Sequence, residues 1–370
     1  MSDDQNEKPT LPAAEKSHAP RDGVAPMRAR PLRTSVRNQP LWLVLAACGS
    51  VVIVLLVVSL CSGRYHVPVR EVLGILLQPL TGQEATWSLN AYNVVVNSRL
   101  PRALTAILVG AALALSGASY QGVFQNPLVS PDILGVSYGA CVGAAISILL
   151  YLNTWQTQVF AFIGGLVAVF ITVSIPKLMH RRSNIVMVLS GVIVGGFMSS
   201  VLGLLKYVAD PDTQLAEITY WQLGSIAKVN YSVLSYAVPA MVVAGAVVIA
   251  MRWRINLLSL GEDEARSLGV NLKVERGVII VASTVLTACA VSLSGTIGWV
   301  GLIIPHVARR IVGEDNKRLI PTVALVAAAF MLLVDLIARC LTGFEIPLGI
   351  LTGLVGAPIF GYILVKQRDV

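Results

Sequence analysis

The residues best placed to do chemistry in this 370-residue sequence are cations and small polar clusters set beside apolar runs. Arg99 and Arg102 bracket Leu100-Pro101 ahead of one such run, and Arg339 closes another, four residues after Asp335. Guanidinium groups there suit an acidic partner or lipid headgroups, and Arg339 could instead form an intrahelical pair with Asp335. A second cluster is the polar insert Leu260-Gly261-Glu262-Asp263-Glu264-Ala265-Arg266-Ser267-Leu268-Gly269-Val270. Its acids gather where a helix N-terminus favours negative charge, and Gly269 is a natural C-terminal stop, so a short helix is expected. Leu257, Leu260, Leu268 and Val270 need a protein surface to cover, which favours docking over a solvated connector. A third cluster, Tyr220 to Ser225, contains Trp221, Gly224 and Ser225. It reads as an interfacial aromatic belt or as a short gating helix.

Catalytic signals are missing from the sequence. There is no GxxxxGK[ST] phosphate cradle, no HExxH and no nucleophile elbow. Cys48, Cys61, Cys141, Cys289 and Cys340 lack CxxC spacing, and the four His are dispersed, so neither a metal site nor a cofactor is expected. Asp335 is the one acid well inside an apolar run, too few for a proton-driven pump. Uphill movement of a solute would then draw its energy from another chain. An ion-coupled transporter is the main rival reading.

The elements that must position these residues are membrane helices. The chain is 55% hydrophobic and only 13% charged, with a mean hydropathy of +0.73. A soluble domain carries about 25% charged residues. Near-continuous apolar runs, rather than alternating ones, call for helices and not a barrel. Ten runs are found, at 41–61, 104–120, 137–152, 159–175, 185–208, 232–251, 278–292, 297–307, 319–338 and 348–365. The predicted class is therefore an all-α integral membrane protein with about ten transmembrane helices. Residues 1–40 are polar and read as a disordered cytoplasmic tail without signal-peptide character. Residues 41–370 form the ten-span membrane domain, with 254–276 as a cytoplasmic segment.

With the N-terminus inside, the outer side receives only Arg64, Arg70, Arg99, Arg102, Lys206, Lys228 and Arg339 out of 28 Lys and Arg. The inward excess supports ten spans with both termini cytoplasmic, and it explains the net charge of +8 without nucleic acid. Leu115-Ser116-Gly117 with Gly122 and Pro127 is echoed by Leu293-Ser294-Gly295 with Gly301 and Pro305. Under this topology the echo is an inverted internal repeat, an architecture of transporters. Small residues at Gly135, Gly139 and Gly143, at Gly191 and Gly195, and at Gly349, Gly353 and Ala357 let helices approach closely.

Several segments together resemble the FecCD family, the permease subunits of bacterial ABC importers for iron–siderophores, haem and cobalamin. They are Arg99-Leu100-Pro101-Arg102, Gly110 to Leu113, Phe124 to Leu128, Leu134-Gly135-Val136, the Leu260–Val270 insert, Gly298 to His306, Asp335 to Arg339 and Pro347 to Pro358. The resemblance covers nearly all of residues 41–370. It implies a permease without its own catalysis, in the bacterial cytoplasmic (inner) membrane. It implies pairing with a second permease subunit, as a homodimer or a mixed pair. It also implies an ATPase subunit dimer on the cytoplasmic insert and a soluble binding protein outside. Arginines matching Arg99, Arg102 and Arg339 are expected to dock that binding protein. Gly261, Glu262, Glu264, Ala265 and Gly269 are expected to couple the ATPase, although Asp263 and Glu264 fall where the importer motif EAAxxxG has Glu and Ala. Trp221, Gly224 and Ser225 are the expected outer gate. A siderophore is the expected cargo, with haem, cobalamin or molybdate as alternatives.

Overall fold

The computed structural model describes residues 39–82, 85–179, 184–260, 265, 267 and 271–368. The expected tail therefore lies outside the described residues apart from Gln39 and Pro40. Among the described residues every regular element is helical. The helices are α1 Leu41–Cys61, α2 Val69–Thr81, α3 Leu89–Tyr92, α4 Leu100–Phe124, α5 Val136–Leu149, α6 Thr154–Leu178 and α7 Asn184–Val208. They continue with α8 Gln214–Leu223, α9 Tyr231–Ala250, α10 Arg252–Ser259, α11 Leu272–Ser294, α12 Val300–Val312, α13 Asn316–Cys340 and α14 Leu348–Arg368.

Among the described residues seven helical runs are long and apolar enough to cross a membrane: α1, the continuous run Leu89–Phe124, α6, α7, α9, α11 and α13. The protein is thus a multi-pass membrane protein. α5, α12 and α14 also fall on apolar runs but are shorter or less continuously apolar. Two crossing helices form the centre. The most apolar windows of the run containing α4 and of α11 are each 78% buried, against 17% for α1. Their shared face is sealed by polar side chains that satisfy one another where lipid would offer nothing. Ser116 Oγ donates to the Ser283 carbonyl at 3.0 Å and lies 2.7 Å from Thr287 Oγ1, while the Tyr120 hydroxyl lies 3.0 Å from Thr284 Oγ1.

Close backbone approach explains why small residues recur. A Cβ on Gly117 would fall 1.8 Å from the Gly301 carbonyl oxygen, so α4 and α12 can touch only because Gly117 has none. A Cβ on Gly143 would fall 2.0 Å from the Phe160 carbonyl oxygen, which packs α5 onto α6. The two echoing segments therefore meet in space. His306 Nε2 also lies 2.9 Å from the Pro127 carbonyl oxygen.

Pro101 stands in the first turn of α4, and α3 passes through a π-helical turn, Asn93–Arg99, directly into that helix. A proline inside a helix lacks an N–H and clashes with the carbonyl four residues back. The wider i→i+5 turn just before Pro101, closed by the Leu100 N–H on the Val95 carbonyl, opens the ladder where the ring must fit. Two further helices escape apolar pattern reading. α2 is short and amphipathic, burying Val72 and Ile75 while Leu73, Leu77 and Leu80 remain exposed. α10 leads into the insert from the end of α9.

Candidate functional site

The bundle has two chemically distinct ends. At the first, which we call the arginine end, α1 stops at Cys61 and its last carbonyls need donors. Arg99 supplies them: Nη1 donates to the Leu60 carbonyl at 2.7 Å and to the Cys61 carbonyl at 3.1 Å, and Nη2 donates to the Tyr65 carbonyl. Arg339 does the same from α13, donating to the Ser62 carbonyl at 3.0 Å and to the Ser59 carbonyl and hydroxyl at 2.6 Å each. Two cations thus sit at the C-terminus of α1, the end of a helix that favours positive charge.

Asp335 joins them from below. It is fully buried and accepts from Arg102 Nε at 2.7 Å, while Arg339 Nε lies 3.3 Å from its other oxygen. The i,i+4 pair that the sequence allowed is therefore present, and a second arginine shares the same carboxylate. Arg102 Nη1 also pairs with Glu345, and Arg64 Nη2 donates to the Gly343 carbonyl. Sequence reading missed Glu345; the signal was a lone acid beside Pro347 on the side that carries the unexpected arginines. Arg102 and Arg339 stand against Asp335 and Glu345, and Arg99 and Arg64, bonded to backbone carbonyls, leave this end positive. Arg99, Arg102 and Arg339 are turned inward, with Arg99 only 6% exposed.

Beside this cluster lies α8, entered through a tight turn. Asp210 accepts from Thr213 Oγ1 at 2.8 Å, from Thr213 N–H at 2.9 Å and from Asp212 N–H at 3.1 Å. The Thr213 hydroxyl and backbone hold the Asp210 carboxyl below the usual carboxylate range. The other end of α8 gathers the three residues expected of a gate. Gly224 has φ +79°, and a Cβ there would meet the Thr296 carbonyl oxygen at 2.6 Å. Ser225 N–H donates to the Ser294 carbonyl at 2.8 Å, and Leu348 N–H donates to the Gly224 carbonyl at 2.8 Å. Thr296 Oγ1 donates to the Gln222 carbonyl at 2.6 Å. Trp221 is half-buried against Ala140, Ala144, Ala161 and Val291. The end of α8 is therefore wired to the end of α11 and the start of α14. Trp221 and Ser225 also line a cavity of about 240 Å³ with Glu217 and Lys228.

At the opposite end, the insert end, α10 is fastened to the bundle core. A Cβ on Gly122 of α4 would fall 2.4 Å from Ile255 Cγ2, and Gln125 Nε2 donates to the Leu258 carbonyl at 2.8 Å. Asn256 Nδ2 donates to Asp315 Oδ1 at 2.6 Å and Asn256 Oδ1 accepts from Asn316 N–H at 2.8 Å, which ties α10 to α13. Of the expected coupling residues, Ala265 is helical and fully buried in the main core. Gly261, Glu262, Glu264 and Gly269 lie outside the described residues. Among the described residues no cluster of His, Cys, Asp and Glu could hold a metal ion, and all five cysteines are free.

The FecCD transport family matches residues 51–366 of this chain. The molybdate import system permease protein MolB of Haemophilus influenzae is 41% identical over 84% of this chain and 92% of its own length. The hemin transport system permease protein HmuU of Yersinia pestis is 36% identical over 75% of this chain and 85% of its own. A solved ABC transporter of metal-chelate type, in an inward-facing conformation, superposes with a TM-score of 0.77 at 36% identity, covering 88% of this chain and all of that one. Helices, buried polar seam and two unlike ends accordingly belong to a member of the FecCD transport family, a membrane permease subunit of an ATP-binding-cassette importer.

Proposed function

We propose that this permease moves an iron chelate, with a siderophore as the leading cargo, into the cytoplasm by alternating access. The observation that carries this reading is the contrast between the two ends of α4. One carries the arginine–carboxylate cluster and the other is packed directly against α10, which leads into the insert. A rigid helix between an outer and an inner contact is what a two-state switch needs. α5, α12 and α14 complete ten crossings, with both termini in the cytoplasm and the repeat inverted between the halves. The membrane is the bacterial inner membrane.

Each end takes a partner. An ATPase dimer engages the insert through Gly261, Glu262, Glu264, Ala265 and Gly269. A soluble binding protein docks on the arginine end, its acids drawn by the positive charge of Arg99, Arg102 and Arg339, whose inward-turned side chains hold the end of α1, Asp335 and Glu345 in the surface it meets. Charge pairs of this kind contribute orientation and on-rate more than raw affinity. A second copy of the chain completes the path. Gly196, Ser199, Ser200 and Gly203 leave one exposed strip of α7 small and partly hydroxylated, which suits a watered passage better than lipid. Trp221, Gly224 and Ser225 then act as the outer gate.

Molybdate is the second reading, favoured by the 41% identity with a molybdate permease. The test is reconstitution of the permease with its ATPase and binding protein in vesicles, offered ferric siderophore or molybdate. Accumulation of the ferric chelate that needs ATP and is stopped by vanadate is expected. Molybdate accumulation alone would exchange the cargo, and uphill accumulation by the permease without its ATPase would overturn the mechanism.

A further inference from the structure

A groove of about 850 Å³ runs along the outside of the bundle between α9 and α11. Ala240 and Ala244 of α9 and Gly277 and Ala282 of α11 contribute to its lining, and Val281, 63% exposed, also borders it. Among the described residues its single charged lining residue is Lys273, at the insert end. From Lys273 to Val285 a helix rises roughly 18 Å at 1.5 Å per residue, a little over half of the ~30 Å hydrocarbon core. Both walls are helices long and apolar enough to cross a membrane. The groove therefore has the depth of one leaflet, apolar along its length and cationic where the headgroups lie.

We propose that it seats one acyl chain of an anionic phospholipid whose phosphate is held by Lys273. The surrounding charges favour that headgroup. Glu275, the acid nearest Lys273 in sequence among the described residues, is engaged by Arg254 at 3.5 Å. Among the described residues Lys273 itself has no ion pair, and its side chain is exposed. At the same end Trp253 carries Arg254 at 5.2 Å and Lys317 at 5.9 Å from its ring centroid, so this face is a basic and aromatic belt at headgroup depth. Gly277 is the residue that keeps the groove open: a Cβ there would meet nothing within 4 Å. The inference depends on the membrane location of α9 and α11 and not on the cargo.

Native mass spectrometry of the purified full-length permease, exposed to equal amounts of phosphatidylglycerol and phosphatidylcholine with matched chains, tests it. The wild type should retain phosphatidylglycerol about fivefold over phosphatidylcholine, the weight of one Lys near an anionic headgroup. Lys273→Gln should abolish that preference and Lys273→Arg should keep it. Gly277→Leu should reduce retention of both lipids roughly tenfold by filling the groove, with its thermal midpoint unchanged because the new side chain enters open space. Equal retention of the two lipids by the wild type, or full retention by Gly277→Leu, would overturn the proposal. So would exclusion of both lipids by a tightly held partner helix.

Discussion

Asp335 concentrates the residue-scale physics of this protein. A carboxylate with no solvent access is tolerable only because Arg102 and Arg339 reach it at 2.7 and 3.3 Å. Removing it leaves two buried guanidinium groups facing each other. Asp335→Asn should therefore destabilise the permease by about 3–5 kcal/mol, the range for breaking a buried pair from one side. Thermal unfolding in detergent checks this; an unchanged midpoint would mean the arginines are held by Glu345 and the backbone alone. The sequence supplied Arg99, Arg102, Arg339 and Asp335 but left their partners open. Spacing along a chain reports neighbours within one helix, such as Asp335 and Arg339. It says nothing of the α1 carbonyls that Arg99 and Arg339 cap, which arrive from residues 59–65.

At the scale of elements, the decisive contact is backbone against backbone. With a Cβ of residue 117 destined for 1.8 Å from the Gly301 oxygen, no side-chain rotation relieves the clash, so α4 and α12 must separate. Gly117→Leu should abolish recovery of monodisperse permease, whereas Gly196→Ala, which meets open space on α7, should be recovered like the wild type. Size-exclusion chromatography of both proteins distinguishes these outcomes, and normal behaviour of Gly117→Leu would show that the helices do not approach so closely. Apolar runs located α1, α6, α7, α9 and α13 to within a few residues. α2 and α10 were invisible to that method because each is short, 13 and 8 residues, and broken by polar side chains, Arg70, Glu71 and Gln78 in α2 and Arg252, Arg254 and Asn256 in α10. The π-helical turn before Pro101 was equally hidden, since a run of Val and Asn residues does not announce which carbonyl its N–H groups will choose.

For the whole molecule, sidedness assigns the two ends their roles. Cys340 is the exposed cysteine among the five and lies at the arginine end, while Lys317 lies at the insert end beside α10. The inward bias of Lys and Arg expects Cys340 outside. A membrane-impermeant maleimide should label it in right-side-out vesicles, and Lys317→Cys, made in a Cys340→Ser background, should react only after permeabilisation. The reverse pattern would invert the topology and exchange the assigned roles of the two ends.

The sequence by itself determined that this chain lives in lipid, that it is helical, and which family it resembles. Those properties are carried by composition and by order along the chain, since a helix in hydrocarbon must satisfy its own backbone within a continuous apolar stretch. Tertiary structure alone decided that α4 and α11 are central, that Arg99 and Arg339 cap the end of α1 while Arg102 turns to Asp335 and Glu345, and that Trp221, Gly224 and Ser225 join three helices. Each of these depends on pairs far apart in sequence meeting across a packed interface, and no local pattern encodes which apolar face will find which.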